Sequence, residues 1–107
     1  MKTTFGVVLI TCPPDKAEKI ARTILERRLA ASVNMITDVS SSYWWRNSIN
    51  SSKETLLLAK TRIDAFGELE MMVRKMHPYE VPQIILLPIA TGNRNYLDWI
   101  DKETRKA

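Results

Sequence analysis

The chain has 107 residues, which suits one compact domain, so we predict a single domain over residues 1–107. Apolar residues make up 45% of the chain and charged residues 26%, a balance that argues against disorder. No apolar run is long enough to span a bilayer and the first twelve residues lack an export signal, so we expect a cytoplasmic protein without a membrane partner. The net charge of +4 comes from basic residues scattered near predicted helix ends, a pattern that does not favour nucleic-acid binding.

The first quarter of the chain predicts a strand followed by a helix. Residues 4–11 form a β-branched and aliphatic run that is typical of a central strand buried on both faces. Two consecutive prolines end this run, and an apolar stripe at helical spacing then predicts a helix over residues 14–30. Asp15 and Glu18 have the spacing of a capping box at its start.

A long β-hairpin is predicted next. Polar and apolar residues alternate with a period of two over residues 31–46, turn-forming residues follow at 46–51, and residues 53–61 return as a second strand. The first strand would span roughly 50 Å at about 3.3 Å per residue. Since a chain of this size has a radius of gyration of roughly 13 Å, the hairpin should project beyond its own core.

The predicted tip of this hairpin carries Tyr43, Trp44 and Trp45. Three exposed aromatic side chains imply a partner, and a second copy of the same chain is the most economical one. The residues therefore predict a closed homo-oligomer with these aromatics in its interface. A bulge near Thr37 and Asp38 would shorten the arm and weaken this argument.

The second half predicts helix, strand and helix. One helix runs up to Met76 with Asp64 as its N-cap, and residues 83–89 predict a buried strand with Pro88 at its end or at a sheet edge. A short helix around residues 96–103 closes the chain. The order of strands and helices predicts an α+β, ferredoxin-like split βαββαβ fold with a long hairpin and an added C-terminal helix.

The stretch His77 to Pro82, with the sequence HPYEVP, holds the only histidine of the chain. Its two prolines stiffen the backbone and would present imidazole, phenol and carboxylate side chains from a rigid connector. The competing interpretation is structural, because prolines also end helices and His77 would then cap the carbonyl groups of the preceding helix.

Seven motifs together carry a family resemblance. They are VLITCP (8–13), RLAASVN (28–34), YWW (43–45), KT (60–61), HPYEVP (77–82), LP (87–88) and YLDW (96–99). In order and spacing they resemble the CutA family of divalent-cation tolerance proteins over nearly the whole chain. The resemblance implies a ferredoxin-like subunit in a tight homotrimer, binding of copper or other divalent cations, and a role in the response to metal ions.

Some positions depart from the family pattern. Ser32 stands where many relatives have cysteine, and Asn47 and Ser48 stand where the hairpin turn often reads Gly-Lys. Some bacterial members with the look of copper-binding proteins carry a cysteine in the place of Ile10 and a second histidine in that of Met76. Of that soft-ligand set, this chain keeps His77.

We therefore predict His77 as the imidazole ligand of a copper site, with Cys12 and Met76 as candidate soft ligands. Each of the last two residues has a structural alternative in the core. No organic cofactor is indicated.

A ligand cleft between subunits is the other candidate site, with Lys60, Tyr79 and Glu80 as its residues. Lys60 would fix an anionic ligand or pair with Glu80, and Tyr79 would point into the cleft or bury its ring.

Catalysis is not expected, because the sequence has no nucleophile elbow, no phosphate-binding glycine loop and no paired-histidine or zinc-type cysteine motif. Three functions stay open. They are a trimeric metal-binding tolerance protein, a trimeric regulator that binds a small anion between subunits, and a structural trimeric scaffold.

Overall fold

The computed structural model describes residues 4–105 of the chain. Its elements are, in chain order, β1 (Phe5–Cys12), α1 (Pro14–Glu26), β2 (Ser32–Trp45), β3 (Ser48–Arg62), α2 (Phe66–Met76), β4 (Ile84–Pro88) and α3 (Arg94–Glu103). The four strands form one antiparallel sheet in the order β2-β3-β1-β4. The predicted α+β, ferredoxin-like βαββαβ order with an added C-terminal helix is confirmed.

The hydrophobic core lies on one face of the sheet. α1 and α2 pack there against alternate strand residues, which include Val8, Ile10 and Leu57. The intervening residues of β1 are only half-buried, so within the single chain β1 is not buried on both faces as predicted. The same holds for β4, where Ile85 and Leu87 are about half exposed. β4 is an edge strand that ends at Pro88, as predicted.

The other face of the sheet is largely uncovered, and we call it the open face. Strand register places seven apolar side chains on it: Val7, Leu9, Ile36, Leu56, Leu58, Ile85 and Leu87. α3 contacts the end of the sheet, where the Tyr96 and Ser32 hydroxyl groups lie 3.5 Å apart and Arg62 pairs with Asp101.

The hairpin of β2 and β3 extends beyond the core, as predicted from its length. The described chain measures 44 × 27 × 22 Å, so one axis is much longer than the others. The turn is only two residues long, because Arg46 and Asn47 both adopt positive φ angles, of 51° and 68°, as a type I′ turn requires. A bulge lies between Ile36 and Val39, where Asp38 has a φ of 59°.

Several predicted helix ends were wrong. α1 ends at Glu26 rather than at residue 30, because Arg28 turns left-handed with a φ of 56° and the Leu29 N–H group donates to the Ile24 carbonyl. α1 begins after Pro13 at the N-cap, so Asp15 and Glu18 do not form the predicted capping box.

α2 does not begin at Asp64 either. A 3₁₀ turn, Ile63–Ala65, precedes it, and the Asp64 carboxylate accepts from the Arg62 guanidinium at 3.0 Å. None of the helices within residues 4–105 is both long and apolar enough to cross a membrane.

Candidate functional site

His77 ties the end of α2 to β1 and to the connector that follows. Its backbone N–H group donates to the Val73 carbonyl at 2.8 Å and closes the helix. Its ring Nε2 lies 2.7 Å from the Thr11 carbonyl, and its Nδ1 accepts from the Tyr79 N–H group at 3.2 Å. A carbonyl only accepts, so Nε2 carries the proton and both ring nitrogens have protein partners. The residue is buried, with 8% of its surface exposed.

Tyr79 forms the next link of this network. Its hydroxyl donates to Glu54 Oε2 at 2.9 Å, and its ring centroid lies 4.7 Å from that of His77. Burial, the hydrogen bond to Glu54 and the charge of Glu54 all raise the pKa of Tyr79. The phenol therefore stays protonated and acts as a donor throughout the neutral range.

Glu54 is a carboxylate that sequence analysis did not single out. It is 5% exposed and lies opposite Val39, immediately beyond the β2 bulge. The sequence held a partial signal, because Glu54 shares the face of its strand with the apolar residues Leu56 and Leu58.

A groove of about 800 Å³ runs between the hairpin and the connector, and we call it the hairpin groove. Its lining residues are Thr11, Ser40–Trp45, Glu54, Tyr79–Val81 and Gln83. The structure thus brings Tyr79 and Glu80 of the predicted cleft together with Tyr43, Trp44 and Trp45 of the predicted interface. The described residues in this lining include two carboxylates and neither a lysine nor an arginine.

Lys60 is not among the residues that line the hairpin groove. Its ammonium group contacts the side-chain oxygen of Asn34 and, at 3.3 Å, the Leu58 carbonyl. Partial burial lowers its pKa. Glu80 lies 4.0 Å from Arg46 instead, so the suggested pairing of Lys60 with Glu80 was wrong.

The predicted soft ligands lie in different environments. Cys12 is fully buried, with Sγ 3.9 Å from the Thr55 carbonyl. Burial, followed by the charges of Glu54 and Asp15, raises the pKa of its thiol to about 11. Met76 lines a second, smaller groove beside Lys16, Lys19 and Lys75, where positive charge disfavours a metal cation.

One chain by itself holds no complete metal centre in the part that is described. Nowhere in residues 4–105 do three or more His, Cys, Asp or Glu side chains come close enough together to hold an ion. Oxygen atoms suited to a hard cation line the hairpin groove, where Glu54 and Glu80 supply carboxylates and Ser40–Ser42 supply hydroxyl groups, of which that of Ser40 accepts from the Lys53 ammonium at 2.9 Å.

Comparison with known proteins is consistent with this architecture. Residues 6–103 match the family model described as "CutA1 divalent ion tolerance protein". The chain is 48% identical over 99 residues to the Divalent-cation tolerance protein CutA of Thermus thermophilus, covering 92% of this chain and 96% of that one. It is 43% identical over 100 residues to the human Protein CutA, covering 92% of this chain but only 56% of that one.

Solved structures give the same result. The divalent cation tolerance protein of Thermus thermophilus superposes with a TM-score of 0.92 at 46% identity, covering 94% of this chain and 99% of that chain. CutA1 of Oryza sativa superposes with a TM-score of 0.94 at 36% identity, covering 98% of this chain and 97% of that chain. The chain therefore belongs to the CutA1 family of divalent ion tolerance proteins.

Proposed function

We propose that this protein acts in divalent-cation tolerance as a homotrimer and binds the cation in the hairpin groove, without catalysing a reaction. The observation that carries the proposal is the buried Glu54 carboxylate in a groove whose described lining is acidic. The names of the relatives support the cation as the class of ligand.

The open face supports assembly. Ile36, Ile85 and Leu87 are 47%, 47% and 51% exposed in the single chain, although they belong to one continuous apolar sheet surface. Monomers rarely leave such a surface in water, so we propose that other copies of the chain cover it. The proposal of three subunits comes from the family resemblance. The projecting hairpin would provide an arm that contacts a neighbouring copy.

The chemistry of the hairpin groove favours a cation over an anion. Glu54 uses one carboxylate oxygen to accept from Tyr79, which leaves the other for a ligand. Two carboxylates are too few to saturate a divalent ion such as Ca²⁺, which takes six to eight oxygens, so water and a neighbouring copy would supply the rest. The alternative, an anion held by Lys60, is disfavoured because Lys60 points to Asn34.

His77 has a positioning role in this proposal. It holds the Tyr79 backbone and thereby sets the phenol against Glu54. To bind copper directly, the ring would have to release the Tyr79 N–H group or the Thr11 carbonyl, which costs a buried hydrogen bond. Copper still ranks above manganese and zinc at a given site, so it belongs in the test.

Calorimetric titration of the metal-free protein with Mn²⁺, Zn²⁺ and Cu²⁺ tests the proposal. We expect Glu54→Gln, which keeps the shape and removes the charge, to weaken binding at least tenfold. Glu18→Gln, at an exposed position on α1, should leave binding unchanged. Equal affinities for wild type and Glu54→Gln would contradict the proposal. Binding that is lost in His77→Ala but kept in Glu54→Gln would move the site to His77.

The compartment is a separate proposal. We propose the cytoplasm, because a single cysteine that is buried and unpaired suits a reducing environment. A solved relative from Archaeoglobus fulgidus is described as a periplasmic divalent cation tolerance protein, so related chains also occur outside it. Fractionation of cells that express the full-length protein distinguishes the two locations.

A further inference from the structure

A small groove between α1 and α2 lies apart from the site described above. It has a volume of about 250 Å³ and is lined by Lys16, Lys19 and Ile20 from α1 and by Lys75 and Met76 from α2. We call it the lysine groove. Three exposed lysines thus line the groove beside two apolar side chains, and no residue of the hairpin groove takes part.

The three ammonium groups are unpaired within the described chain: none has a hydrogen bond, nor a carboxylate within 4.0 Å. Other cations on the same two helices do have partners. Arg22 pairs with Glu26 at 3.3 Å, and Arg74 pairs with Glu70 at 3.7 Å. Acidic residues also occur in the first turns of α1, but they do not line the lysine groove.

The positions of two of these lysines are electrostatically unfavourable in the isolated chain. Lys16 lies in the first turn of α1, where the helix dipole disfavours positive charge. Lys19 follows three residues later, a spacing at which like charges on a helix repel each other. Lys75, at the C-terminal end of α2, complements its own helix dipole but adds a third positive charge to the groove. A bound anion would weaken the repulsion among these lysines.

The size and lining of the lysine groove narrow the class of anion. Its volume equals that of about eight water molecules and falls below that of pockets for drug-sized ligands. Lysine ammonium groups act as compact point charges, which suit the tetrahedral oxygens of a phosphate better than the planar fork of a carboxylate. Ile20 and Met76 offer an apolar surface for a few carbon atoms.

We propose that the lysine groove binds a phosphate group, either as the free ion or as the ester of a short carbon skeleton. Lys16, Lys19 and Lys75 would hold the phosphate oxygens, and Ile20 and Met76 would contact the carbon atoms of an ester. This site is independent of metal binding in the hairpin groove, so either proposal can fail without the other.

Calorimetric titrations with inorganic phosphate and with glycerol 3-phosphate, in metal-free buffer at low salt, test the proposal. The variants are Lys75→Gln and the triple variant Lys16→Gln, Lys19→Gln, Lys75→Gln, and the control is Lys102→Gln at an exposed position on α3. We expect saturable binding that weakens about fivefold for the single variant and on the order of a hundredfold for the triple variant. The control should bind like wild type.

Tighter binding of the ester than of the free ion would support the proposal and identify the ester, through its contact with Ile20 and Met76. Equal binding would support the proposal and identify the free ion. Absence of saturable binding by either compound would overturn it, even if RNA or anionic vesicles bind. An equal loss in Lys75→Gln and in Lys102→Gln would also overturn it, because the effect would then be one of net charge. Circular dichroism verifies that every variant is folded.

Discussion

Among single residues, His77 connects three parts of the chain. It closes α2 through its backbone, reaches β1 through Nε2 and fixes the connector through Nδ1. Its chemistry as a metal ligand is visible in the sequence, but its two hydrogen-bond partners are not. Both partners are backbone groups, and one of them lies 66 residues away. Only the tertiary structure therefore shows that both ring nitrogens already form hydrogen bonds within the protein.

We expect His77→Ala to lower the free energy of unfolding by about 2 kcal/mol, because it leaves the Thr11 carbonyl and the Tyr79 N–H group without their partner. Urea denaturation at one fixed protein concentration measures the change. Tyr96→Phe, which removes an exposed hydroxyl, serves as the control and should change stability little. A loss below about 0.5 kcal/mol for His77→Ala would show that the network contributes little.

Cys12 should make stability fall in the alkaline range. Its pKa in the folded protein is about 11, against 9.0 for the unperturbed thiol, so between these values the native state holds a proton that the unfolded chain has lost. The free energy of unfolding then decreases as the pH rises from 9 to 11, by about 2–3 kcal/mol from this group. Below pH 9 its contribution is constant.

Tyr79 and Lys60 also titrate at alkaline pH. The contribution of Cys12 is therefore obtained as the difference in the free energy of unfolding between wild type and Cys12→Ala. Denaturation at pH 8, 9, 10 and 11 should give a smaller decline for the variant. If the free energy of unfolding fell equally with pH in both proteins, the alkaline loss of stability would not come from Cys12.

Among the secondary-structure elements, the hairpin shows what a sequence pattern predicts and what it leaves open. The period-two alternation predicted β2 and its length, whereas β3 is longer than the predicted strand over residues 53–61. It did not reveal that Arg46 and Asn47 adopt positive φ angles, which shortens the turn to two residues and lets β3 begin at Ser48. The end of α1 was missed for the same reason, at Arg28. Left-handed conformations at arginines such as Arg28 and Arg46 depend on their surroundings and leave little trace in sequence, whereas asparagine is a residue type that favours them.

Two substitutions of Asn47 test the geometry of the hairpin turn. Asn47 has a φ of 68°, a conformation that glycine adopts without strain and alanine does not. We expect Asn47→Ala to destabilise the protein by about 1 kcal/mol and Asn47→Gly to leave stability unchanged or raise it slightly. Thermal unfolding of both variants at equal concentration measures the difference. If the two variants unfolded at the same temperature, the turn geometry would be wrong.

Across the whole molecule, the candidate site arises from elements that are distant in sequence. The motif around His77 and the aromatics of the hairpin were predicted separately, as a cleft and as an interface, and the hairpin groove contains residues of both. Glu54 was missed because only the bulge and the packing of Tyr79 reveal that it is buried. Lys60 was placed correctly on its strand, but its side chain bonds within the sheet.

We expect the two tryptophans of the hairpin to contribute unequally to the proposed assembly. Trp45 lies on the same side of the hairpin as Tyr43, whereas Trp44 lies on the other side and is 72% exposed. We expect Trp45→Ala to weaken subunit association by about 2 kcal/mol or more, as loss of a desolvated aromatic anchor does, and Trp44→Ala to have a smaller effect. Size-exclusion chromatography over a range of protein concentrations measures how readily each variant dissociates. Similar and negligible losses would refute the assignment of Trp45.

The mass of the protein in solution tests the account most directly, because we propose that neighbouring copies cover the open face and complete the hairpin groove. Sedimentation equilibrium at micromolar concentration, neutral pH and moderate salt should give three times the 12.3 kDa of the chain. Ile36→Lys, which places a charge on the open face, should lower this mass, and Lys102→Gln should not. A wild-type mass of 12.3 kDa under these conditions would contradict the account, since the apolar open face would then be stable in water without a partner.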